Sequence, residues 1–157
     1  EPIRDSMLAV SGKLDRRMYG PGSLDERMTR RSIYFTVKRS RLIPMMVVFD
    51  APDALVPLAS RSETTVAPQS LLLMNSPVVR DWAAAFARRL MPKDGGPREG
   101  AIDSAYRIAL SRGPTESERA DALAFVNAQK AAYGNVEPAL ADFCLVLMGL
   151  NEFMFVE

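Results

Sequence analysis

The sequence predicts a mainly α fold: a single domain over 1–157, a bundle of about five to six helices, with one short strand or extended segment near 32–38. Three observations predict it. Val78, Trp82, Phe86 and Leu90 recur at steps of four, which puts them on one stripe of a helix. Thr115 and Glu118 have the spacing of a capping box, in which the hydroxyl accepts from the N3 amide and the carboxylate accepts from the N-cap N–H. The chain is 48% hydrophobic and 25% charged, and 157 residues suffice to bury a core without disulfides or a structural metal.

Ile3, Met7, Val10 and Leu14 mark an amphipathic helix ending near Gly12, with Arg4, Asp5 and Lys13 placed on its other faces. Asp15 to Arg31 is charged and contains Gly20-Pro21-Gly22-Ser23. That tetrad lacks the lysine-serine ending of a phosphate-binding loop and follows no convincing strand, so it is expected to be a turn. Ile33, Phe35 and Val37 alternate with Tyr34, Thr36 and Lys38, a strand pattern for which a helical turn is the alternative. Pro44 interrupts, and the apolar run Met45 to Phe49 leads to a turn at Asp50-Ala51-Pro52-Asp53.

A short helix is expected over Thr65 to Asn75, with Pro68 in its first turn, and Ser76-Pro77 opens the Trp82 helix. Met91 to Gly100, with Pro92, Gly95, Gly96 and Pro97, is the strongest linker and a candidate hinge. Ile102, Tyr106, Ala109 and Leu110 mark the next helix, which stops before Gly113-Pro114. The capped helix from Thr115 runs to Gly134, a natural αL terminator. Pro138 opens the last helix, with Leu140, Phe143, Cys144 and Leu147 facing inward. The closing Phe153 to Val156 either folds back into the core or contacts another part of a parent protein.

The composition narrows the chemistry. No histidine is present, so the commonest general base and metal ligand is missing. Cys144 is the one cysteine, which rules out an internal disulfide, a Cys-rich zinc site and a c-type haem attachment motif. It lies in an apolar run, as a buried inert thiol does. No cofactor is expected in this chain. No 18-residue uncharged apolar run exists, so no membrane span is expected. Formal net charge is +1, which argues against nucleic acid held by a wholly basic surface. Yet ten Lys/Arg stand against five Asp/Glu through Arg41, and pairing of this basic quarter with the acidic remainder is expected.

Asp50, Asp53 and Glu63 are the candidate catalytic acids, with Arg61 as an anion contact, because paired carboxylates perform acid/base work once burial separates their pKa values. Turn capping and pairing with Arg61 is the structural alternative. Arg27, Arg30, Arg31, Lys38, Arg39 and Arg41, interleaved with Tyr34 and Phe35, match a nucleic-acid stacking surface in composition. Against this, the aromatics alternate as a core strand's would. The nine methionines, Met45, Met46, Met148 and Met154 among them, suit either an adaptable groove or core filling.

Several blocks together carry a family resemblance: Arg30-Arg31-Ser32-Ile33-Tyr34 with Lys38-Arg39, Phe49-Asp50-Ala51-Pro52, Arg61, Thr65, Pro68-Gln69-Ser70-Leu71 and Leu73 to Pro77. Ala105 to Arg112, Pro114-Thr115-Glu116 and Leu150-Asn151-Glu152-Phe153 continue it almost to the end of the chain. The sequence resembles the C-terminal domain of unknown function in planctomycete-type, cytochrome c-associated proteins. That resemblance implies a C-terminal piece of a large secreted or periplasmic protein whose activity is not established, and it carries over no catalytic residue.

The function expected is therefore a non-catalytic helical module packing on upstream domains of its parent, or on an extracytoplasmic protein or polysaccharide. The alternatives are a hydrolase domain acting on extracellular carbohydrate and a basic surface binding acidic polymer.

Overall fold

The computed structural model describes residues 1–38, 40–50, 67–91 and 98–155. Among them are eight α-helices: α1 (Pro2–Ser11), α2 (Pro44–Val48), α3 (Ala67–Asn75), α4 (Pro77–Leu90), α5 (Arg98–Leu110), α6 (Glu116–Tyr133), α7 (Val136–Met148) and α8 (Asn151–Met154). The mainly helical expectation holds, and α2 and α8 are two short helices beyond the number expected.

α4 and α7 make the centre. α4 packs on α7, α1 and α3, while α6 lies along α7 and α5. The stripe on α4 packs inward as its spacing required: Trp82 is 2% exposed, Phe86 fully buried, Leu90 buried and Val78, at the helix start, half-buried against the core. α7 contributes Leu140, Phe143, Cys144 and Leu147, and the Phe143 and Tyr106 rings meet at 6.3 Å between centroids with a 35° tilt. A single cluster of buried residues includes α4 and α5, which lie on either side of the linker; residues 92–97 themselves fall outside the described set.

The helix ends follow local chemistry. Thr115 Oγ1 accepts from the Glu118 N–H at 3.2 Å, and Glu118 Oε2 accepts from the Thr115 N–H at 2.7 Å, completing the capping box on α6. Gly134 closes α6 at φ 67° and Gly12 closes α1 at φ 75°, conformations that cost an L side chain energy. α7 starts earlier than Pro138. Asn135 Oδ1 accepts from the Glu137 N–H at 3.1 Å, and Pro138 lies inside the first turn, where its missing N–H goes unneeded. Arg89 of α4 donates to the carbonyls of Val10 (2.8 Å) and Ala9 (3.3 Å), placing a cation at the negative end of α1.

Near 32–38 the helical-turn and extended alternatives hold, and no strand forms among the described residues. Ser32–Tyr34 is one 3₁₀ turn, and an extended piece after it makes an isolated bridge from Phe35 to Ser23. With no neighbouring strand to cover a face, Ile33 and Val37 stand 72% and 73% exposed instead of sharing a buried side with Phe35. Core filling accounts for Met7, Met45 and Met148, all buried, and Phe153 folds back into the core through α8.

Candidate functional site

The described residues of 12–43 contain no α-helix and form an arm doubled on itself. The Asp15 N–H donates to Thr29 O at 3.0 Å, the Ser23 N–H to Tyr34 O at 3.0 Å and the Thr36 N–H to Ser23 O at 2.8 Å. Gly22 is required at this seam. A Cβ there would lie 2.6 Å from Thr36 Oγ1 and 3.2 Å from Tyr34 O.

A buried arginine holds the arm to the helices. Arg4, Met7, Leu8 and Ser11 are spaced three, four and seven apart and share the buried face of α1. Arg4 is 2% exposed. Its Nη1 donates to Arg30 O at 2.9 Å and Ser32 Oγ at 3.2 Å, and its Nη2 donates to Met28 O. The guanidinium carbon is 4.5 Å from the Phe35 ring centroid and 5.7 Å from that of Trp82, within cation–π range of both.

Asp5 supplies the countercharge, 3.3 Å from Arg4 Nη1, and its Oδ1 accepts from the Ser32 N–H at 2.8 Å and hydroxyl at 2.7 Å. Burial lowers the Arg4 pKa and Asp5 opposes the shift. The guanidinium keeps its proton because its ordinary value lies so far above neutrality.

A second arginine shapes the outer end of the arm. Arg30 lies over the Tyr34 ring at 3.6 Å, its Nη1 donates to Pro21 O at 3.1 Å and its Nη2 donates to Tyr19 O. The Tyr19 N–H donates to Tyr34 Oη at 2.8 Å. Tyr19 is thereby held at φ 63°, a left-handed conformation rare for a bulky residue, with its side chain 81% exposed. Met18 beside it is 67% exposed.

The arm is strongly basic, with nine Lys/Arg against three Asp/Glu. Its ion pairs among the described residues are Arg17 with Asp15 at 2.8 Å and Arg31 with Asp5 at 3.9 Å. Both carboxylates belong to the N-terminal quarter itself. The expected pairing with the acidic remainder of the chain is absent among the described residues, because the arm packs through Arg4 and backbone contacts and leaves most of its cations facing outward. Lys13, Arg16, Arg27, Lys38 and Arg41 are all exposed and make no ion pair there.

The sequence-derived candidates do not assemble into one centre among the described residues. Asp50 follows α2 as a half-buried turn residue at φ 55°, its N–H donating to Val47 O at 3.2 Å. Asp53, Arg61, Glu63 and Arg39 lie outside the described residues. Arg30 is absorbed into the arm, Arg31 leans on Asp5, and Lys38 is exposed at a bridge to Arg41. The aromatic platform matched to nucleic acid is already covered, Tyr34 by Arg30 and Phe35 by Arg4. Among the described residues no group of three His, Cys, Asp or Glu side chains could hold a metal ion, and no helix is long and apolar enough to cross a membrane. Cys144 is fully buried, and burial raises its thiol pKa far above the usual range.

One polar cluster was invisible as a unit. Arg112 uses all five N–H donors: Nε and Nη2 to Glu152 at 2.7 and 2.8 Å, Nη1 and Nη2 to Glu118 at 2.8 and 2.7 Å, and Nη1 to Gly113 O at 3.1 Å. These bonds, then the Thr115 amide, hold the Glu118 carboxyl down at about 2. Its spacing from Thr115 marks Glu118 as a cap, but nothing local shows that the same carboxylate also joins α8 through Arg112. The cluster has no donor left over for a ligand.

A family model described as PSD1, Protein of unknown function (DUF1553), matches residues 1–126. The match ends within α6, so the resemblance noted around Leu150 to Phe153 lies beyond it. No curated protein and no solved structure matches the chain.

Proposed function

The chain belongs to the PSD1 family of proteins of unknown function (DUF1553), and from that premise we propose that it is a non-catalytic helical module of a large extracytoplasmic, cytochrome c-associated protein. Its partner-facing surface is the arm, 12–43. One contrast supports this reading. The elaborate polar groups, Arg4, Asp5, Arg112 and Glu118, are spent on contacts within the chain, while Met18, Tyr19, Ile33 and Val37 of the arm stand in solvent. These four are the most exposed large apolar side chains among the described residues, at 67–81% against 59% or less for the others, and such groups are what an interaction surface needs.

Amine cross-linking of the full-length protein tests the proposal. Lys13 and Lys38 are expected to cross-link to residues beyond this domain or to a second protein. Cross-links from both lysines confined to 1–157 would refute it.

A second reading, binding of acidic polymer, is favoured by the arm's excess of six positive charges. It expects retention on heparin that disappears as salt shortens the range of the field.

A further inference from the structure

We propose that the first stretch of the arm, Lys13 to Tyr19, is a docking point on a fixed backbone for an acidic polypeptide segment that carries apolar side chains. This rests on the module reading and names the chemistry of its partner.

The argument starts from Tyr19. A tyrosine in the left-handed region costs on the order of 1–3 kcal/mol, and a ring 81% exposed recovers almost nothing from its own core. The cost is offset by three fixed interactions: Arg30 on Tyr19 O, Tyr34 Oη on the Tyr19 N–H, and Arg30 stacked on Tyr34. Gly20 follows at φ 93°, so the chain turns away and leaves the ring projecting. Aromatic, methionine and arginine side chains are the residues that carry binding energy at protein interfaces, and a ring carried on a fixed backbone has less chain entropy left to lose when it is covered.

Charge selects the partner. Lys13, Arg16 and Arg17 stand against Asp15 in this stretch, and Lys13 and Arg16 make no ion pair among the described residues. Carboxylates on the partner would meet these cations, and its apolar side chains would cover Met18 and Tyr19. A polyanion without apolar groups, such as an acidic polysaccharide, satisfies the first requirement alone, so the exposed ring and thioether favour a polypeptide over it.

The probes are poly-L-glutamate, a glutamate–tyrosine copolymer of matched charge and length, and heparin, each titrated into the full chain at fixed salt. The copolymer is expected to bind about tenfold more tightly than polyglutamate, the margin one interface anchor supplies. Tyr19→Ala should erase that margin while leaving the polyglutamate affinity unchanged, and Arg16→Glu should weaken both. Trp82 fluorescence, from a ring buried in the core, checks that each variant is folded. Equal binding of all three polymers, or a copolymer margin that survives Tyr19→Ala, overturns the proposal, as does absence of binding. Cross-links from Lys13 and Lys38 to an outside partner, together with a failed copolymer titration, would sink the partner chemistry and leave the module reading standing.

Discussion

Replacing Arg4 by methionine should detach the arm from the helices. The methionine keeps much of the side chain's apolar volume between Phe35 and Trp82 but strands three acceptors, Met28 O, Arg30 O and Ser32 Oγ. Each buried acceptor left unmet costs about 1–3 kcal/mol, and removal of the cation also leaves the half-buried Asp5 without its nearest countercharge. Recovered desolvation of the guanidinium offsets several kcal/mol. The net loss expected is about 3 kcal/mol, a large part of a stability near 5–15 kcal/mol.

With a urea slope of about 2 kcal/mol/M, the midpoint should fall by roughly 1.5 M. Trp82 reports it directly, since its ring lies 5.7 Å from the Arg4 guanidinium. Hydrogen exchange adds a local readout: the Ser23 and Thr36 amides, which bridge the two runs of the arm, should lose protection before the α4 amides do. Arg4→Lys should also be damaging, because an ammonium cannot span the three acceptors with a planar fork. A loss below about 1 kcal/mol in Arg4→Met, with arm protection unchanged, would refute the assignment of Arg4 as the anchor.

Glu118 gives a pH test. Its folded-state pKa, about 2, lies below the ordinary 4.5, so its contribution is complete above pH 4.5 and drains away as pH falls toward 2. Glu118→Gln should flatten the stability profile across that window by about 1 kcal/mol, a figure reduced for the third of the side chain open to solvent. Gly22→Ala should destabilise the arm by about 1–2 kcal/mol in denaturant titrations, with Thr36→Ala relieving part of it, because the closest atom is a side-chain oxygen while Tyr34 O cannot move aside. Cys144 should react with a thiol reagent only at the rate of unfolding, since its sulfur is buried and burial disfavours the thiolate; rapid labelling under native conditions would contradict this.

The parts of the fold that were legible are those whose cause is local. The Trp82 stripe, the Thr115–Glu118 box and the Gly134 terminator each need only residues within a turn or two of helix, and all three stand as read. The arm was illegible for the opposite reason. Ile33, Phe35 and Val37 alternate as a half-buried strand does, but alternation says nothing about whether a second strand exists to cover the face. A charged Arg4 suggests another face of α1, although helical spacing puts it in line with Met7, Leu8 and Ser11. Spacing was the better guide there, and charge misled because its acceptors lie 24 to 28 residues away.

The candidate site divides in the same way. Exposed Arg31 and Lys38 could be picked as surface cations from sequence, and Asp50 as a turn residue. That Arg30 would be consumed in fixing Tyr19, or that Arg112 would join Glu118 to Glu152, depends on partners up to 40 positions apart.

The amino-acid order by itself determined the helical class, most helix boundaries, the buried stripe of α4 and the inert setting of Cys144, because periodicity, capping and apolar density act over a few residues. Tertiary structure alone decided where the charges went. Whether a cation is buried, paired or left facing solvent depends on the carbonyls, rings and carboxylates that distant segments bring to it, and electrostatic energy in a folded chain is set by that distance and burial.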